Sequence, residues 1–462
     1  MMYMKSGFRF NEHNRDTNPR FESHDPGMMW DPASGKYYSF CTDSYITSKR
    51  EQGVPIRVSD DLVDFRYAGT ALSEAAIKEA SYNGEGMSPV PGFWAPFTEY
   101  SGGKYRMYYS ATKAFGTDES KIWLAVSDKI EGPYENVGVV VDSRDQAFKE
   151  KPNAIDPHIV DTPEGDKYLI YGSFFGGIYA KKLNPVTGMS ADNNPRNFGT
   201  RLAYKPEDSY IDGPEGPAVI YNPDTGKYYL FFSYGWLGDD YDIRVGISDN
   251  VLGPYVDKDG VSLLGDSLGT KLAGSYEFTR YSKEPMGNND RSTSSRKGFD
   301  GKPMPEWEYG GFRGPGHGVP FYNVPRKDYF FVHHVRDGAM PLSHYSEKEH
   351  RRTFFMHYMM IRRMLFIDDW PVFSPEDYAG EEAGCDLYNG NIQGGVLSGV
   401  SDGFEWVVFD NCNNELIRAS KDVTMYNVKG YLMDAYDFEN SKECKVFTGY
   451  TDDNRAVWGR SM

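Results

Sequence analysis

Apolar and polar residues alternate with a period of about two along most of this chain, the pattern of half-buried β-strands. The alternation comes in a recurring form, a turn followed by Lys and an aromatic-rich run. It occurs at Gly35-Lys36-Tyr37-Tyr38-Ser39-Phe40, Gly103-Lys104-Tyr105-Arg106-Met107-Tyr108-Tyr109 and Asp166-Lys167-Tyr168-Leu169-Ile170-Tyr171. It returns at Gly226-Lys227-Tyr228-Tyr229-Leu230-Phe231-Phe232 and, more loosely, at Lys327-Asp328-Tyr329-Phe330-Phe331. Five copies of one supersecondary unit predict a repeat architecture in which each unit is one blade.

Two further elements belong to the unit. Val58-Ser59-Asp60-Asp61, Val126-Ser127-Asp128 with Gly132-Pro133-Tyr134, and Ile247-Ser248-Asp249 with Gly253-Pro254-Tyr255 read as an outer strand closing into a tight corner, because Ser-Asp and Gly-Pro are turn formers. Ahead of each repeated Lys stands a Pro-marked strand opening: Asp25-Pro26, Trp94-Ala95-Pro96, Asp156-Pro157, Glu215-Gly216-Pro217 and His317-Gly318-Val319-Pro320. Proline suits a strand start, since it cannot donate into a ladder interior. Five first strands arranged about an axis would bring their leading side chains together.

The predicted fold is therefore all-β: a five-bladed β-propeller over residues 1–374, followed by a small C-terminal β-sandwich or barrel over residues 375–462. Pro375-Glu376-Asp377-Tyr378-Ala379-Gly380-Glu381-Glu382 reads as the linker, and Phe404–Phe409 and Lys445–Tyr450 as strands of the second domain. Gly287 to Gly316, rich in Gly, Ser, Asn and Pro, reads as a long loop.

Composition narrows the function. A net charge of −17 opposes binding to nucleic acid or an anionic membrane and favours a neutral or cationic ligand. The aromatic share of 15% suits both strands and the flat surfaces on which sugar rings stack. No apolar stretch approaches a membrane span. Cys41, Cys385, Cys412 and Cys444 lack any CxxC or metal-finger spacing and are expected as free buried thiols. The opening MMYMKSGFRFNEHN has no apolar h-region, so the expected location is cytoplasmic, or secreted if a leader was removed. The oligomeric state is open.

Three acids, Asp25, Asp156 and Glu215, open strands of separate repeats, while Trp94 and His317 stand at the other two. Turn chemistry alone would repeat one residue, whereas converging carboxylates split their pKa values and supply an acid beside a base. Glycoside hydrolysis needs that pair. Asp212 is the alternative acid to Glu215. Asp257-Lys258-Asp259-Gly260 lacks the twelfth-position acid of a calcium loop and reads as a turn. His333-His334 reads as strand-end packing.

The motifs His24-Asp25-Pro26, Phe93-Trp94-Ala95-Pro96, Asn153-Ala154-Ile155-Asp156-Pro157-His158, Glu215-Gly216-Pro217 and Gly314-Pro315-Gly316-His317 resemble, in order and spacing, those of family 43 glycoside hydrolases, and within them the two-domain endo-1,5-α-L-arabinanases. The stretch from Ile361-Arg362-Arg363 through Asp369-Trp370-Pro371-Val372 resembles the domain junction of those enzymes. The resemblance implies an inverting hydrolase of arabinan or arabino-oligosaccharides, with Asp25 as general base, Glu215 as general acid and Asp156 tuning the acid and positioning the sugar. Inversion implies that Asp25 and Glu215 stand ~6.5–9.5 Å apart. It also implies Trp94 as a stacking platform, Asn153 and Ser173 as sugar contacts, and His317 beside a bound Ca2+ that organises the site. Two rival readings are an exo-acting α-L-arabinofuranosidase or β-xylosidase on the same scaffold, and a non-catalytic sugar-binding propeller.

Overall fold

The structure is a computed structural model describing residues 20–461 apart from 21–22, 44–51, 82–91, 113–115, 145–150, 239, 277, 279–311, 338–342, 347–350, 355–356, 383, 394–395, 399–405, 412–414, 418–425 and 439–441. Strand is the dominant element among the described residues, which hold a single short helix, and no helix among them is long and apolar enough to cross a membrane.

Five four-stranded antiparallel sheets follow one another along the chain. The first holds β1 (Gly27–Asp31), β2 (Lys36–Phe40), β3 (Pro55–Ser59) and β4 (Phe65–Thr70), after which α1 (Glu74–Ala80) is capped by the Ser73 side chain. The second holds β5 (Phe93–Ser101), β6 (Lys104–Thr112), β7 (Ser120–Ser127) and β8 (Glu135–Asp142). The third holds β9 (His158–Asp161), β10 (Lys167–Tyr171), β11 (Ile178–Leu183) and β12 (Thr200–Ala203). The fourth holds β13 (Glu215–Asn222), β14 (Lys227–Tyr234), β15 (Asp242–Ser248) and β16 (Thr270–Ala273). The fifth is built from β17 (Phe312–Asn323), β18 (Asp328–Asp337), β21 (His357–Ile367) and β22 (Trp370–Phe373), with a separate hairpin of β19 (Ser343–Ser346) and β20 (Arg351–Phe354) between its second and third strands. First strands of different sheets meet: β1 lies beside β5 and β17, and β13 beside β9 and β17.

The repeated Lys marks the start of the second strand in the first four sheets, and in three of them it pairs with the Asp of the repeated Ser-Asp: Lys36 with Asp60, Lys104 with Asp128, Lys227 with Asp249. These pairs are exposed and stabilise little. Ser59, Ser127 and Ser248 end the third strand of their sheets rather than the outermost one. The fifth copy is shifted by one residue. Gly35, Gly226 and Lys327 each adopt φ between 56° and 69° and donate their backbone N–H to the carbonyls of Asp31, Asn222 and Asn323. Lys327 thus occupies the left-handed turn position that Gly35 and Gly226 fill, and Asp328 is the true equivalent of Lys36.

A seven-stranded sheet follows, in spatial order β24-β23-β27-β28-β29-β25-β26. Its strands are β23 (Asp386–Gln393), β24 (Val396–Leu397), β25 (Trp406–Asp410), β26 (Glu415–Ile417), β27 (Tyr426–Asp437), β28 (Lys442–Thr451) and β29 (Ala456–Ser461). This sheet is not tethered by a solvated linker. Glu376, Asp377 and Tyr378 are buried, and Tyr450 and Trp458 share a core with Tyr276, Trp370 and Phe373 of the preceding region. Arg460 of β29 pairs with Glu376 at 2.8 Å and Asp437 at 3.0 Å, all of them sealed from solvent. Of the predicted loop Gly287–Gly316, Phe312–Gly316 is strand, and residues 287–311 lie outside the described residues. Cys41 and Cys444 are buried free thiols as expected, but Cys385 is exposed, and Cys412 lies outside the described residues.

Candidate active site

At each of the five strand openings one residue takes a left-handed backbone conformation: Asp25 (φ 48°), Ala95 (φ 42°), Asp156 (φ 61°), Gly216 (φ 59°) and His317 (φ 46°). Non-glycine residues rarely adopt it, and where they do the surrounding structure imposes it. Where the residue lies inside the first strand the ladder skips, as between Trp94 and Phe97, Glu215 and Ala218, and Gly316 and Val319. These are bulges that re-aim side chains. The register corrects the sequence reading. Asp25, Asp156 and His317 occupy the left-handed position, whereas Trp94 and Glu215 stand one residue before it, level with His24. In the fourth repeat that position must be glycine, since a Cβ on Gly216 would lie 2.9 Å from Cγ of His317.

Each left-handed residue donates its backbone N–H to a polar side chain of the preceding sheet in the cycle. Ala95 reaches Thr42 Oγ1 at 2.8 Å, Asp156 reaches Ser110 Oγ at 3.0 Å, and Gly216 reaches Asp156 Oδ2 at 3.2 Å. His317 reaches Ser233 Oγ at 3.0 Å, and Asp25 reaches His334 Nδ1 at 3.2 Å, which links the fifth sheet back to the first. Thr42, Ser110, Ser173, Ser233 and His334 occupy one position of the repeat, six residues after Lys36, Lys104, Lys167, Lys227 and Asp328. In the third sheet Ser173 departs from the pattern and donates its hydroxyl to Glu215 Oε2 at 2.9 Å.

The three acids thereby enter one electrostatic field with different surroundings. Burial would raise the Asp25 carboxyl, but His317, His334 and His24 outweigh it and hold Asp25 far below the usual carboxylate range. Nδ1 of His317 lies 3.1 Å and Nδ1 of His334 3.2 Å from Asp25 Oδ1, and Thr42 donates to Oδ2 at 2.5 Å. Asp156, 5% exposed, is pushed well up by burial and then by the charge of Asp25, with the Gly216 N–H opposing. Glu215 is pushed up to about 7 by burial and the charge of Asp156, against His317 and hydrogen bonds from Tyr241 and Ser173. Near neutral pH the site therefore offers an ionised carboxylate at Asp25 and, at Glu215, a carboxyl that still carries its proton in a large fraction of molecules. Asp212, the alternative acid, lies in the loop before β13, where its backbone carbonyl accepts from Gly235.

The other expected residues fall around these acids. Trp94 is partly exposed beside Ala95. Asn153 is buried, and its Oδ1 has no partner among the described residues, so an acceptor stands ready for a ligand hydroxyl. Ser173 engages Glu215 directly. His334 is not strand-end packing: it contacts Asp25 and stacks on Tyr241 with ring centroids 5.7 Å apart. Its neighbour His333 accepts from Arg362 Nε at 2.9 Å within the core. Asp257–Gly260 is the expected turn, closed by Gly260 N–H on the Asp257 carbonyl.

A Ca2+ ion takes six to eight oxygen ligands. The side chains that meet Asp25 are the imidazoles of His24, His317 and His334 and the Thr42 hydroxyl, so they fit Ca2+ only as an ion wrapped mostly in water.

Residues 17–278 match the family model described as Glycosyl hydrolases family 43. An extracellular endo-α-(1→5)-L-arabinanase of Thermotoga petrophila is 30% identical over 79% of this chain and 79% of its own length. Extracellular endo-α-(1→5)-L-arabinanase 2 of Bacillus subtilis is 28% identical over 78% of this chain and 71% of its own. The crystal structure of an endo-1,5-α-L-arabinanase from Thermotoga petrophila RKU-1 superimposes with a TM-score of 0.67 at 26% identity, covering 95% of this chain and 98% of that one. With its paired carboxyls split toward acid and base, and with these relatives, the chain belongs to glycosyl hydrolase family 43.

Proposed function

We propose that this protein cleaves 1,5-α-L-arabinofuranosidic links within arabinan chains, with inversion at the anomeric carbon. The observation that carries the chemistry is the opposite shift of two carboxyls: Asp25 held ionised by imidazoles, Glu215 pushed up to about 7. Asp25 activates a water by taking its proton. Glu215 gives its proton to the leaving glycosidic oxygen. Asp156 sustains the acid's proton by its charge and holds the backbone N–H of Gly216, next to Glu215. Trp94 stacks on a furanose ring, and Asn153 accepts from a ring hydroxyl. Ser173 acts through Glu215 as well as on the sugar. A water-wrapped Ca2+ at His317 would add positive charge at the axis, and no proton transfer is routed through it.

The fold we assign is a five-bladed propeller over residues 1–374 with a β-domain over 375–462, supported by the five four-stranded sheets and the circular series of inter-sheet hydrogen bonds. Its extracellular relatives favour a secreted protein. The test is product analysis on linear 1,5-arabinan. Long oligomers at early times support endo cleavage, whereas arabinose alone indicates exo action. Inverted anomers at first turnover by NMR support the water-mediated step, and retained anomers refute it. Activity equal in wild type and Glu215→Gln would leave only a binding protein.

A further inference from the structure

An acid delivers its proton in a fixed direction only if its carboxyl group is held, and the side chain that reaches Glu215 from the far end of the β14–β15 hairpin is Tyr241. It stands one residue before Asp242, which pairs with Tyr234 where the ladder ends. Its two acidic neighbours are engaged elsewhere: Asp242 with Arg244 at 2.8 Å and Lys271 at 3.4 Å, Asp240 with the Trp236 backbone N–H at 2.6 Å. The phenol points away from both and meets the Glu215 carboxyl.

The ring that carries this hydroxyl is locked. Tyr241 is 1% exposed, and it lies so close to the backbone of Gly316 that a Cβ there would stand 2.0 Å from its Cδ1. Gly316 does not take a left-handed conformation, so the ring, not the backbone, is what requires glycine beside His317. Tyr241 also stacks on His334, with ring planes 18° apart, and His334 in turn accepts the Asp25 backbone N–H. Burial and the charge of Glu215 push the phenol far above its ordinary range, so it keeps its proton and donates to the ionised acid. Ser173 is the second donor, at 2.9 Å from Oε2. We propose that Tyr241 is a positioning residue for the general acid: its hydroxyl orients the Glu215 carboxyl toward the leaving glycosidic oxygen and steadies the carboxylate left after proton transfer, while Gly316 and His334 seat its ring. The proposal rests on Glu215 being that acid.

Tyr241→Phe keeps the ring and removes only the donor. On linear arabinan its kcat should fall by about 10-fold, short of the about 10²–10⁴-fold worth of the acid itself, with KM little changed. The donor favours the ionised form, so its loss should move the alkaline limb of the kcat profile to higher pH. On an arabino-oligosaccharide with a 4-nitrophenyl leaving group, which needs little protonation, the loss should be smaller. Gly316→Ala reaches the same hydroxyl by displacing the ring, and should move the limb the same way. A limb that stays in place or moves down in Tyr241→Phe, or a loss equal on the two substrates as a merely structural residue would give, overturns the role of Tyr241. A limb unmoved in Gly316→Ala overturns the seating assigned to Gly316. Glu215→Gln separates the two readings. If that variant cleaves arabinan as fast as wild type, the general acid itself is misassigned; if it is inactive while Tyr241→Phe leaves the limb in place, Tyr241 alone is.

Discussion

Two regions of this molecule bury carboxylates, and they do so in opposite ways. Beneath the seven-stranded sheet, Glu376 and Asp437 are both held by the Arg460 guanidinium, and Arg20 pairs with Asp377. At the strand openings, no Arg or Lys among the described residues pairs with Asp156 or Glu215, and imidazoles, hydroxyls and backbone N–H groups answer their charge. Full pairing neutralises charge and locks the chain, so the first region is cement. Incomplete pairing leaves protons free to move near neutral pH, so the second is chemistry. The same residue type becomes structural or reactive according to the cation next to it.

Four substitutions would break or sharpen this contrast. Glu215→Gln should lower kcat on arabinan by about 10²–10⁴-fold, the usual worth of a general acid, with urea stability unchanged or raised because a buried acid has been removed. Arg460→Met should do the converse. It removes the cation between Glu376 and Asp437 and should cost about 3–5 kcal/mol in a denaturant titration, while kcat per folded molecule holds. A large loss of kcat in Arg460→Met, or of stability in Glu215→Gln, would erase the distinction.

The remaining pair concerns pH. On the proposed mechanism activity needs Glu215 protonated, so the rate should fall as pH rises through about 7. Asp156 raises Glu215 through its charge. Asp156→Asn, besides slowing turnover, should therefore move the alkaline limb of the kcat profile to lower pH. Ser173 stabilises the ionised form by donating to Oε2, so Ser173→Ala should move the same limb to higher pH, by a smaller amount. Shifts of equal sign in the two variants would contradict the assigned couplings.

Much of this was legible in the chain because repetition makes weak signals add. The five Lys-aromatic runs and five Pro-marked openings located every first and second strand, and Asp25, Asp156 and Glu215 stood out against them. The relay at Thr42, Ser110, Ser173, Ser233 and His334 was also present in the sequence, at a constant offset from the repeated strand start, yet its meaning required knowing which sheet meets which. Lys327 misled by one residue because it looks like the repeated Lys while filling a glycine's turn position. Pro375–Glu382 misled because polar, turn-forming residues read as solvated linker, whereas Arg460, far along the chain, buries Glu376. Tyr241, which hydrogen-bonds Glu215, carried no signal at all.

The sequence by itself determined the strand periodicity, the number of repeats and the identity of the acids, since those depend on local propensity and on residue type. Only the tertiary structure decided which acid is ionised, which keeps its proton, and that Glu215 sits one residue before the position held by Asp25 and Asp156. Those outcomes depend on burial, on bulged backbone that aims each side chain, and on imidazoles and hydroxyls delivered from neighbouring sheets. Charge acts across space, and nearness in space is what a linear chain does not state.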